Sequence, residues 1–126
     1  MPANRRGDCL ERRGDRRHDR RGALVTPAQG DIWWAEAEDR RRPVLVVTRD
    51  EAVPVLGRIL VAPVTRTVRG IPTEMPLDAA DGLPQPCAAS FDNLQPIRKS
   101  FLTDRLGSIR HRRYEICAAL EALADC

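Results

Sequence analysis

The sequence predicts a small, mainly β domain of barrel type closed by one C-terminal helix. Three observations carry this. From Gly30 onward, short apolar runs alternate with Pro and Gly, those runs are rich in β-branched residues, and a helical apolar period follows only after Ser108. Closely spaced strands followed by a single helix read as a curled sheet with the helix packed against it.

The elements follow in order. Residues 32–37 form a first strand, opened by Gly30-Asp31. Residues 44–48 are a continuous run of β-branched side chains and Leu, which predicts a strand buried on both faces. Residues 49–56 have room for one helical turn before Gly57, limited by Pro54. Residues 58–64 are a further strand, and residues 73–77, with Pro72 and Pro76 near the ends, an edge strand. Residues 88–94 and 96–102 are two less strongly patterned strands. Ile109, Arg113, Ile116, Leu120 and Leu123 then follow three- and four-residue steps, alongside Cys117 and Ala119, with Ser108 as the expected N-cap.

With 126 residues there is material for one domain. Charge is unevenly spread. Residues 1–22 carry eight Arg, four acidic residues and almost no apolar side chains, whereas residues 23–126 are close to neutral. The Arg-rich stretch repeats itself, Arg5-Arg6-Gly7-Asp8 returning as Arg12-Arg13-Gly14-Asp15. It buries too little apolar surface to offset its ordering entropy, so residues 1–22 are expected to be a disordered tail ahead of a domain at 23–126. Its functional reading is an electrostatic arm for nucleic acid, and its plain reading a solvated extension.

Several function classes are argued against. The four Cys at 9, 87, 117 and 126 form no Cys-x-x-Cys pair, and only His18 and His111 stand by to complete a metal site. Neither a metal nor another cofactor is expected. Scattered Cys and no apolar stretch after Arg12-Arg13 predict a cytoplasmic chain, and the longest apolar run, residues 59–64, holds a Pro and is too short for a membrane span. Gly-x-Ser-x-Gly, His-Glu-x-x-His and P-loop patterns are absent. His111 sits among Arg110, Arg112 and Arg113 and reads as exposed, while Cys87 and Cys117 read as small buried hydrophobes. Trp33 and Trp34 point to opposite faces of a strand, one into the core and the other toward an interface or a stacking surface.

Two segments remain: Arg40-Arg41-Arg42-Pro43 running into Val44-Leu45-Val46-Val47, and Val61-Ala62-Pro63-Val64-Thr65. With Gly30-Asp31-Ile32-Trp33-Trp34 before them and Asp92-Asn93 and Arg105-Leu106-Gly107 after, their order resembles the MazF/PemK family of toxins across residues 29–124. No single piece is specific, but four pieces in order are.

The resemblance implies an SH3-like β-barrel of the MazF/CcdB type with a C-terminal helix, usually a symmetric homodimer. It implies a type II toxin held inactive by a cognate antitoxin, and a sequence-selective endoribonuclease that cuts single-stranded RNA without a metal. In that chemistry the ribose 2′-OH attacks the adjacent phosphorus and leaves a 2′,3′-cyclic phosphate and a 5′-OH. The family's catalytic Arg falls on Arg42 and its catalytic Thr on Thr65. These residue types suit the task. A planar guanidinium donates to two phosphoryl oxygens at once, and a hydroxyl fixed at a strand end adds a third donor. Without the pattern, Arg42 is an edge-strand surface charge and Thr65 an ordinary strand-to-turn residue.

Glu36, Glu38, Arg49, Arg66, Asp92 and Asn93 are the expected substrate-contacting residues. Arg stays protonated at neutral pH, so one of the carboxylates Glu36, Glu38 and Asp39 is expected to take the 2′-OH proton. The chain departs from the family pattern in two places. The loop after the first strand is short, and Asn93 stands where Gln is usual. The other class that uses this barrel is the CcdB-type toxin, which binds gyrase and catalyses nothing; a third reading is an inactive binding member.

Overall fold

The computed structural model describes residues 17–19, 24–37 and 40–124. Among these, the strands are β1 (Arg17–Asp19), β2 (Leu24–Val25), β3 (Asp31–Ala37), β4 (Arg40–Val46), β5 (Arg58–Thr65), β6 (Glu74–Leu77), β7 (Cys87–Ser90), β8 (Gln95–Arg98) and β9 (Leu102–Ser108), followed by the helix α1 (Arg113–Leu123). Their order across the sheet is β2-β1-β9-β3-β4-β5-β7-β6, with β8 also paired to β5. All pairings are antiparallel except that of β1 with β9.

The apolar runs build two cores, one on each face of the curled sheet, because successive residues of a strand point to opposite sides. Ile32, Leu45, Val47 and Ala62 join Met75, Phe91, Ile109 and the helix residues Ile116 and Ala119 on one face. Their chain neighbours Trp33, Val44, Val46 and Val61 join Val53, Ile59 and Leu102 on the other. Of the 44–48 segment expected to be buried on both faces, Val44, Leu45, Val46 and Val47 are at most 5% exposed, while Thr48 is half-buried.

β5 is the strand on which the domain turns. Val61–Pro63 pair with β4, Arg58–Val61 pair with β8, and Val64 and Thr65 pair with Ala89 and Ala88 of β7. The β4–β5 ladder stops at Val44 with Pro63. Pro43 and Pro63 have no N–H to give to a ladder, so the two strands are free to part there.

The 49–56 segment makes the expected single helical turn, with Val53 N–H donating to Arg49 C=O and Leu56 N–H to Ala52 C=O, and it does not extend into a helix. Several boundaries differ from expectation. β4 begins at Arg40 rather than at residue 44 and ends at Val46. The 88–94 strand ends at Ser90 and a 3-10 turn, Phe91–Asn93, follows. The 96–102 strand is cut by another, Lys99–Phe101, and β9 starts after it. Ser108 ends β9, opposite Asp31, instead of capping the helix, which begins at Arg113 after the 3-10 turn Arg110–Arg112. Leu102-Thr-Asp-Arg-Leu-Gly-Ser has little apolar pattern; it is a strand because β3 on one edge and β1 on the other pair with its backbone.

The same backbone edge accounts for β1. Arg17–Asp19 lie inside the stretch expected to lack structure, yet His18 and Asp19 register with Asp104 and Arg105 of β9; such pairing asks nothing of apolar side chains. The rest of residues 1–22 lies outside the described residues. Cys87 is buried as expected, but Cys117 is exposed, because it sits one position off the Ile116 and Ala119 stripe of α1. Trp33 is fully buried and Trp34 half-buried.

Candidate functional site

A groove of about 1000 Å³ opens where β4 and β5 part. The start of β4 supplies Arg40, Arg41 and Arg42, the end of β5 supplies Pro63, Val64 and Thr65, and the following loop supplies Arg66 and Arg69. Its far wall is Ser90 at the end of β7, Asp92, Asn93 and Leu94 in and after the 3-10 turn, and Gln95 at the start of β8.

Five guanidiniums thus face one carboxylate, that of Asp92. Two of the five are committed within the fold. Arg41 Nε donates to Glu36 Oε2 at 2.8 Å, and its guanidinium lies over the Trp34 ring, 4.2 Å from the centroid. Arg69 is held by the buried Glu74, which accepts the Arg69 and Gly70 N–H groups at 2.8 and 3.1 Å and the Arg69 guanidinium at 3.4 Å. No carboxylate among the described residues pairs with Arg40, Arg42 or Arg66. A concave surface with uncompensated positive charge is suited to a polyanion.

The polar groups of the walls are fixed by short local bonds. Thr65 Oγ1 accepts the Thr67 N–H at 3.1 Å, which occupies a lone pair and leaves the hydroxyl proton to donate. Thr73 Oγ1 donates to Asp92 Oδ2 at 2.6 Å, and Asn93 Nδ2 donates to Ser90 Oγ at 2.9 Å.

Of the residues expected from sequence, Arg42, Thr65, Arg66, Asp92 and Asn93 come together here. Arg49 does not. It follows β4 at the end opposite Arg42, beside the turn that closes against Gln29 and Arg110 through Asp50. Glu36 is also outside the groove, engaged by Arg41 and by Thr103 Oγ1 at 2.9 Å. Glu38 and Asp39 lie outside the described residues. Ser90, Gln95, Arg69, Arg40 and Arg41 line the groove without having been named for it; the Arg triplet was a signal for the last two, and no local pattern marks the others.

The Gly30-Asp31-Ile32-Trp33 motif has a structural task instead. Gly30 has φ +91°, and a Cβ there would meet Arg110 at 3.1 Å. Asp31 Oδ2 accepts the Ala28 N–H at 3.0 Å and the Trp33 Nε1–H at 3.4 Å. Burial pushes the Asp31 carboxyl above its ordinary range despite those bonds. Among the described residues, no three His, Cys, Asp or Glu side chains gather as a metal site, and no helix is long and apolar enough to cross a membrane.

Fold and groove together define a small curled-sheet domain, closed by one helix, that presents a cationic cleft at a strand junction. Residues 28–124 match the PemK-like, MazF-like toxins of type II toxin–antitoxin systems, and the chain belongs to that family. It is 44% identical over 103 residues to the probable endoribonuclease MazF5 of Mycobacterium tuberculosis, covering 79% of this chain and 94% of that protein. The solved Mycobacterium tuberculosis toxin MazF-mt6 is 38% identical, with a TM-score of 0.69 over 75% of this chain and 96% of that one. An endoribonuclease from a mycobacterial species, solved with its cognate antitoxin, shares the fold at 23% identity and a TM-score of 0.68, covering 79% and 95%. The expected mainly β fold of MazF type, with its C-terminal helix, is therefore borne out.

Proposed function

We propose that the chain is the toxin of a type II toxin–antitoxin pair, and that its groove cleaves single-stranded RNA selectively by sequence. The observation that carries this is the meeting of Arg42 and Arg66, without carboxylate partners among the described residues, with the Thr65 hydroxyl and the Asp92 carboxylate in one cleft. The endoribonuclease names of the relatives support the substrate class.

In this reading a backbone phosphate lies against Arg42, which donates two parallel N–H bonds to its non-bridging oxygens. The Thr65 hydroxyl adds a donor aimed at the charge that builds up at phosphorus. The ribose 2′-oxygen forms the new P–O bond as the bond to the 5′-oxygen breaks. Asp92, the groove's own carboxylate, is the acceptor at hand for the 2′-OH proton, and the departing 5′-oxygen takes a proton from water. Glu36 lies outside the groove, which removes it from that role. No metal ion takes part in this scheme.

The chain acts in the cytoplasm, where its substrate and a folding-upon-binding antitoxin meet it. It works as a homodimer, for which exposed Val55, Leu56 and Leu60 offer apolar surface. A gyrase-binding reading leaves the Arg42 and Thr65 pair without a task. End-group analysis of RNA cut in excess EDTA tests the proposal. Cleavage with 5′-OH products is expected, and cleavage that vanishes with EDTA and returns with Mg²⁺ overturns it.

A further inference from the structure

Beside the groove, and sharing Thr65 with it, lies a chamber of about 220 Å³. Resting on the reading of the groove as an RNA-cleavage site, we propose that this chamber takes one nucleobase of the nucleotides flanking the cut phosphate, with Trp34 and Arg41 as its stacking wall. It shares Arg41, Val64, Thr65 and Arg66 with the groove, so a base that enters it belongs to a nucleotide whose phosphate lies at the catalytic pair.

The lining suits a base better than a phosphate. Trp34, Pro43, Leu83 and Pro84 give apolar surface, and the Gln85 amide stands with them as a donor and acceptor for a ring edge. The Arg41 guanidinium already lies over Trp34, 4.2 Å from the ring centroid, and is held there by the Glu36 bond at 2.8 Å. Its side chain is 50% exposed, so the guanidinium remains open to a second planar partner. Bases stack on aromatic rings and on guanidinium planes alike.

Strand geometry makes the arrangement firm. Across the β3–β4 ladder Trp34 faces Pro43 and Glu36 faces Arg41, so Arg41 reaches Trp34 along the diagonal. Trp33, the neighbour that points the other way, anchors the strand in the core. The chamber is thereby a specificity element: the base it holds sets part of the sequence at the cut.

The test is a cycle between protein and substrate. The site cut in a long natural RNA is mapped, and oligoribonucleotides carrying it are made with an abasic ribose at each position in turn. With the wild-type chain, loss of one base next to the cut is expected to raise KM about tenfold, with less effect on kcat. Trp34→Ala is expected to raise KM similarly on the intact substrate and to make the abasic change almost without effect. Trp34→Phe should restore part of the discrimination. Should Trp34→Ala fail to fold, Arg41→Gln, on a half-exposed side chain, serves in the same cycle. Independent, multiplying penalties, or no sensitive position beside the cut, overturn the chamber's role while cleavage itself stands. Absence of any cleavage by the wild-type chain overturns the underlying reading as well.

Discussion

Arg42 and Thr65 each lie two residues beyond the last pair of the β4–β5 ladder, Val44 with Pro63, and both line the groove that opens there. The relationship joins the two positions through backbone that is rigid up to the point of separation. A catalytic pair held on strand ends next to a buried core keeps its geometry better than one on loop tips.

Thr65→Val tests the hydroxyl alone. The change is nearly isosteric at a half-buried position, and the Thr67 N–H that loses its acceptor is exposed to water. The variant is expected to fold normally by circular dichroism and to cut RNA about a hundredfold more slowly, the scale of losing one oxyanion-type donor. Thr65→Ser should retain most activity. Near wild-type cleavage by the Val variant would contradict the donor role.

Arg49 separates reading by sequence from reading by structure. The groove leaves it out, so Arg49→Ala is expected to keep RNA cleavage within about twofold of wild type, whereas Arg66→Ala should raise KM. The two positions looked equivalent in the sequence because both flank a strand that carries a site residue. Seven positions of mostly extended chain, at about 3.3 Å each, put Arg49 roughly 20 Å from Arg42.

That contrast shows what sequence made legible. β4 and β5 were readable because their β-branched runs leave no helical alternative, and Arg42, Thr65, Asp92 and Asn93 because the family order marks them. β9 was not, since its side chains are polar and its strand character comes from pairing on both edges. Ser90 and Gln95 were not, because it is the 3-10 turn at Phe91–Asn93 that carries both into the groove.

Arg112 is the fold's main polar tie. It donates to Glu115 at 2.8 and 2.9 Å, to the buried Asp81 at 3.1 Å and to Pro76 C=O at 2.8 Å, joining α1 to β6 and to the turn at Ala79–Asp81. Arg112→Leu is expected to cost about 2–3 kcal/mol in urea unfolding, because Asp81 stays buried without its cation. Hydrogen bonding to Arg112 also holds the Glu115 carboxyl below its ordinary 4.5. A lowered folded value means stability that is present above 4.5 and lost as the pH falls through the folded value, and Arg112→Leu should flatten that acid limb. An unchanged acid limb in the variant would contradict the assignment.

The most direct measurement is the cleavage rate of Arg42 variants on one RNA, each first shown to be folded. If Arg42 grips the phosphoryl oxygens with two parallel N–H bonds, Lys cannot reproduce the geometry, because it is a single compact charge. Arg42→Lys is therefore expected to resemble Arg42→Ala, both down by at least about a hundredfold. A folded Arg42→Lys chain cutting at near wild-type rate would contradict the bidentate grip, and a fully active Arg42→Ala would contradict the placement of the catalytic site in this groove.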